Sequence, residues 1–221
     1  LSHQKLQTLD LSAFRGLNLE LMTDILSCRT LTEISFRCID LPNDSNNLVQ
    51  YLVENLSNDI EKVSLAGIDC LTDEHIKTLV TRCKKIKELE LWGCRNITED
   101  SLTSIVEHCD QMVKLDVSHT NIGFSRNWND ELLKFEMLPV QGRNPFLKVK
   151  LMPKLKVLNC QNTRRTSQET ENLRKLMPGR TINQNEMGFD LTIANPNESI
   201  ETEDGLWDIF VKRTELFPEN R

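Results

Sequence analysis

Glu88 and Glu90 lie two residues apart in the stretch Lys87-Glu88-Leu89-Glu90-Leu91, so a strand there holds both carboxylates on one face. Two carboxylates on a shared face are a starting point for general acid–base chemistry. In a stacked array of strands the same pair is simply two neighbouring solvent-facing positions, and that reading is preferred. The four histidines are His3, His75, His108 and His119; none has a partner at metal-ligand spacing, and His75 and His108 fall on helices expected to be solvated. The seven cysteines include no C-x-x-C pair, so zinc has no spacing to occupy. No phosphate-binding glycine loop or nucleophile motif occurs. No catalytic group, metal or cofactor is therefore expected, and a binding module is the default reading.

The elements that must position these residues show best in Lys84 to Gln111. Ile86, Leu89 and Leu91 alternate with polar residues as a half-buried strand does. Gly93-Cys94-Arg95-Asn96 breaks the pattern, and Thr98 is placed to cap a helix with Glu99 and Asp100 in its first turn. Leu102, Ile105, Val106 and Cys109 then mark one helix face. Such a strand–turn–helix unit cannot bury its apolar faces alone and needs copies stacked beside it.

The copies are present. Anchors of the form apolar-x-x-apolar-x-apolar recur at Leu6-Leu9-Leu11, Leu31-Ile34-Phe36, Ile60-Val63-Leu65, Ile86-Leu89-Leu91, Met112-Leu115-Val117 and Leu155-Leu158-Cys160, with steps of 25, 29, 26, 26 and 43 residues. Four of the steps match leucine-rich repeats. Cys28, Cys83 and Cys109 each precede the next anchor by three residues, which marks the cysteine-containing repeat type. The fold class is therefore α/β, a leucine-rich-repeat solenoid of about six repeats over residues 1–183, with a parallel concave sheet and convex helices. Helices are expected near Leu19–Cys28, Leu48–Leu56, Asp73–Cys83 (capped by Thr72) and Ser167–Met177, and a closing strand at Arg180–Asn183. Residues 123–150 form an insertion, read as a convex excursion with a helix over Asn129–Leu138 that Pro139 ends. Residues 184–221 carry no anchors but keep two apolar clusters, Phe189–Ile193 and Leu206–Phe210, and are expected to dock on the solenoid. The first anchor appears almost at Leu1, so covering sequence upstream is expected.

With the central anchor of each strand inward, its neighbours face the groove. Arg37, Lys62, Glu90, Trp92, Lys114, Asp116, Asn159 and Gln161 fall on that face. Together with Trp207 of the tail they form the candidate partner-binding set. Trp92 is a large aromatic on an exposed strand face, to be covered by the tail or used as an interface anchor. Arg37, Lys62 and Lys114 can meet an acidic or phosphorylated partner, or balance the acids beside them.

Net charge is −6 over 221 residues, which disfavours nucleic acid as a partner. No apolar run approaches a membrane span, and no membrane partner is expected. An odd number of thiols, three of them fixed by the repeat, points to reduced cysteines and to cytosol or nucleus. In that setting the sequons at Asn55, Asn96 and Asn197 carry no meaning.

The stretch Leu151-Met152-Pro153-Lys154-Leu155-Lys156-Val157-Leu158 resembles, with Leu173–Pro178, Ile182-Asn183, Phe189, Thr192-Ile193-Ala194, Pro196 and Trp207-x-Ile209, the F-box/leucine-rich-repeat substrate receptors of Skp–cullin–F-box ubiquitin ligases, in particular the S-phase kinase-associated type. The resemblance implies several things: a protein substrate, phosphorylated or not; a tail folded along the concave face; a small cyclin-dependent-kinase-subunit accessory protein as a further partner. Skp adaptor and cullin would be reached through an F-box that is absent from these residues and expected upstream. The repeats are fewer than in that family's best-known member, and the insertion and the acidic run Glu198–Asp204 differ from it. A second reading is a repeat scaffold without ligase function, such as an assembly factor of mitochondrial complexes.

Overall fold

The computed structural model describes residues 6–39, 41, 45–129, 134–139, 145–161, 163 and 167–183. Its backbone divides into two units, residues 1–186 and 187–221. The expectations for the tail, Trp207 included, lie outside the described residues.

Each repeat begins with a three-residue strand whose middle side chain is apolar: β1 (Thr8–Asp10), β2 (Glu33–Ser35), β3 (Lys62–Ser64), β4 (Glu88–Glu90) and β5 (Lys114–Asp116). β6 (Phe124–Asn129) and β7 (Lys134–Pro139) follow as a separate antiparallel hairpin. β8 (Val157–Asn159) and β9 (Thr181–Asn183) return to the main sheet, whose parallel order is β1-β2-β3-β4-β5-β8-β9. The register aligns Leu9, Ile34, Val63, Leu89, Leu115, Leu158 and Ile182 across all seven strands, as the sequence period requires. The ladder extends beyond the strands. Gln7, Thr32, Glu61, Lys87 and Val113 each offer one carbonyl to two N–H groups of the next repeat. At the far end the N–H groups of Ala13, Cys38, Gly67, Gly93 and His119 each donate to the following repeat. These five residues all have φ between 50° and 74°, the left-handed corner that turns the chain out of the sheet.

Helices return the chain on the other side. α1 (Leu19–Ser27), α2 (Ser45–Asn55), α3 (Asp73–Arg82), α4 (Glu99–His108) and α5 (Ser167–Leu176) occupy the expected stretches. α2 starts three residues before the apolar period does, because its first turn, Ser45-Asn46-Asn47, is polar. Thr98 caps α4 through Asp100 N–H at 3.4 Å. At α3 the reciprocal capping partner is a histidine: Thr72 N–H donates to His75 Nδ1 at 3.1 Å. His75 is buried, not solvated as its helix position implied, since this cap turns the ring inward. Asp73, the first residue of α3, reaches the next repeat. Its carboxylate accepts from the N–H and hydroxyl of both Thr98 and Ser101, at 2.5–3.2 Å.

The three phased cysteines are the C-cap residues of α1, α3 and α4. The carbonyls of Cys28, Cys83 and Cys109 accept from the N–H of Leu31, Ile86 and Met112, closing the turn into the next strand. That turn explains the three-residue offset. It leaves room for a small buried side chain, which Ser57 supplies in the second repeat. The Cys28 thiol donates to the carbonyl of Leu6 at the start of its own repeat, and the Cys83 thiol to that of Ser57 one repeat earlier. The strand centres of the main sheet and the inward helix faces join one core, with Leu9 packed against its edge. Leu6, the first anchor, is 38% exposed, against 0–3% for the other five.

The insertion departs from expectation. Its middle is a β-hairpin, not a helix over Asn129–Leu138. In register, Phe124 faces Pro139 and Trp128 faces Phe135. The strand propensity of Phe124 and Trp128, and of Phe135 with which Trp128 pairs, outweighs the helix propensity of the leucines between the two strands. A 3-10 helix, Pro145–Leu151, then packs Phe146 and Val149 into the core before β8.

Candidate functional site

The side chains flanking each strand centre point away from the helices, onto the open face of the sheet expected to be concave. A groove of about 270 Å³ runs there from β1 to β5, past Asp10, Lys62, Glu88 and Glu90 to Lys114. That volume is small beside pockets that enclose drug-sized ligands. It suits one or two side chains of a macromolecular partner.

Arg37, Glu90 and Trp92 are brought together. Arg37 Nη1 lies 3.1 Å from Glu90 Oε1, and the guanidinium carbon is 5.9 Å from the Trp92 ring centre. Ser64 Oγ donates to the other Glu90 oxygen at 2.7 Å. On its far side Trp92 meets the His119 ring, centroids 5.3 Å apart and planes tilted by 55°. Trp92 is half-buried, flanked by Arg37 from the end of β2 and by His119 from the end of β5. Ala66 and Ser118, at the same register position one strand to each side, are buried, as small side chains beside the larger Trp92 are. His119 occupies the left-handed corner of its repeat, and burial lowers its pKa below the ordinary histidine value. Its alignment with Gly67 and Gly93 in the repeat register is the sequence signal for this corner, which histidine chemistry alone does not give.

Lys62 sits between two acids, 3.1 Å from Glu33 and 3.7 Å from Glu88. The hydrogen bond to Glu33 and the charge of Glu88 raise its pKa. Glu88 and Glu90 do share a face, but each is tied to a different cation. Lys114 is exposed and forms no ion pair among the described residues. At the other end, Ser12 donates from its hydroxyl and its N–H to Asp10, which lowers that carboxyl's pKa.

Beyond β5 the face changes from charged to amide. Asn159 Nδ2 donates to Asp116 at 2.9 Å, and Asn183 Nδ2 donates to Asn159 Oδ1 at 2.6 Å. Gln161 N–H donates to Ser118 Oγ at 3.2 Å. Eight of the nine candidate residues lie on β2 to β8 of the main sheet or two residues after one of its strands. The ninth, Trp207, lies outside the described residues. Among the described residues, no group of three or more His, Cys, Asp or Glu side chains could hold a metal ion. None of the helices there is long and apolar enough to cross a membrane.

The strand register, corner ladder and helix caps are those of a leucine-rich-repeat solenoid. No family model matches the sequence. F-box/LRR-repeat protein 4 of Bos taurus is 29% identical over 65 residues, which is 28% of this chain and 10% of that protein. The chain thus matches only about a tenth of that relative's length. Among solved structures, an internalin of Listeria monocytogenes superposes with a TM-score of 0.43 at 17% identity, covering 81% of this chain and 54% of the other.

Proposed function

We propose that this chain is the partner-recognition region of an F-box substrate receptor in a Skp–cullin–F-box ubiquitin ligase. The observation that carries recognition is the Trp92 cluster: a half-buried aromatic, held between Arg37 and His119, on an otherwise polar open sheet face. Aromatic anchors inside polar surroundings dominate protein-interface energetics. The ligase context draws support from the cysteine-phased repeats and the similarity to a bovine F-box/LRR-repeat protein. In this reading Skp adaptor and cullin bind an F-box elsewhere in the full-length protein. A small cyclin-dependent-kinase-subunit protein joins through the tail. The seven free thiols favour nucleus or cytoplasm.

The test uses the endogenous full-length protein, captured with antibodies against this chain. Skp adaptor and cullin should co-purify, and depleting the protein should raise the abundance of its partner. Trp92→Ala should release the partner and retain the adaptor. Recovery of a stable partner with neither adaptor nor cullin would overturn the ligase part and leave a repeat scaffold.

A further inference from the structure

We infer that the open sheet face recognises an arginine-bearing basic segment of its protein partner; this rests on the reading of that face as the partner surface. The charges there are unbalanced. Asp10, Glu33, Glu88, Glu90 and Asp116 supply five carboxylates. Arg37, Lys62 and Lys114 supply three cations. The cations are also unevenly shared: Lys62 alone serves both Glu33 and Glu88. Asp10 and Asp116 are satisfied by hydroxyl, amide and backbone donors and meet no cation in an ion pair among the described residues.

Arg37 shows what fits. Its guanidinium crosses from the end of β2, over β3, to lie between the Glu90 carboxylate and the Trp92 ring. A carboxylate for the planar fork and an aromatic face for the cation are the two features that select arginine over lysine. The Arg37 side chain is 51% exposed, so its ion pair is screened and readily exchanged for an equivalent one. An arginine from a partner can take that place, while neighbouring basic residues meet the excess charge of Glu33, Glu88 and Asp10. A phosphorylated or acidic segment meets the opposite situation. It must compete with Glu33, Glu88 and Glu90 for Arg37 and Lys62, and among the described residues of this face finds only Lys114 outside an ion pair.

Fluorescence anisotropy on the full chain tests this with three labelled peptides of equal length: arginine-rich, lysine-rich and phosphoserine-rich. The arginine-rich peptide should bind best, more weakly as salt rises, and should change the tryptophan emission. Glu88→Gln with Glu90→Gln should weaken it by about tenfold. Arg37→Ala should tighten it, because no internal guanidinium then competes. Glu90→Gln keeps an acceptor for Ser64, and circular dichroism checks that each variant folds. Glu74→Gln with Glu107→Gln, exposed on α3 and α4, removes the same charge from the helical side and should leave binding unchanged. Equal weakening by both pairs, tighter binding of the phosphoserine peptide, or no binding of any peptide would overturn the inference. If Trp92→Ala still released the natural partner in that case, recognition by this face would stand without a basic ligand.

Discussion

At the residue scale the thiols make the sharpest claim. Burial pushes the Cys83 thiol up to about 11, and those of Cys94 and Cys109 up to about 12, from an ordinary value of 9.0. The folded state holds these protons more tightly than the unfolded chain. Their contribution is complete below pH 9 and falls as pH rises from there through 11 to 12, by up to about 1.4 kcal/mol per thiol per pH unit. Urea unfolding at neutral and alkaline pH should show this loss, and it should be shallower in Cys109→Ser. That variant also places a hydroxyl at a fully buried position and should lose about 1–3 kcal/mol at neutral pH. Identical alkaline slopes in the two proteins would contradict the burial argument. Three cysteines in step with the anchors made this legible, since one helix-ending turn fixes them all. His75 and His119 were not legible in the same way. Each is placed by a local backbone device, a cap and a left-handed corner, that residue type alone does not announce.

At the element scale, Asp73 is a residue of one helix that serves the start of the next. Four donors from Thr98 and Ser101 converge on its carboxylate, so it does for α4 what an N-cap side chain normally does within its own helix. Asp73→Ala should destabilise the fold by about 2 kcal/mol in urea unfolding. It should also raise hydrogen exchange selectively in the first turn of α4. Asp73→Asn, with one acceptor oxygen instead of two, should fall between. An unchanged α4 would mean that Thr98 alone suffices. Helix ends and strand centres were readable in the sequence because capping residues and apolar spacing agree there. The insertion was misread because two signals conflict: the leucines and acids after Asn129 favour a helix, while β6 and β7 gain partners only by pairing with each other. Pairing is a non-local term, and the short-range pattern does not contain it.

At the scale of the whole molecule, the sheet keeps its register where the sequence period does not. The steps between anchors run from 25 to 43 residues, yet each strand aligns with the next at the same three positions. The repeat count and the sheet were therefore readable from the anchors, whereas the pairing of charges across the open face was not. That pairing depends on which side chains reach over an intervening strand, as Arg37 does. The doubly used carbonyl at the foot of each strand has a mechanical consequence. From the first repeat to β8, every boundary is closed by the same small set of backbone bonds, so a chain pulled from its ends has no single clamp. Under tension it should unravel one repeat at a time in a train of similar low-force events, as expected for a quasi-one-dimensional stack. A 26-residue repeat releases about 90 Å of extended chain, and the 43-residue step about 150 Å. Optical-tweezer records should therefore show mostly uniform lengthening with one longer increment, whereas a single cooperative rupture would show that the repeats carry load together.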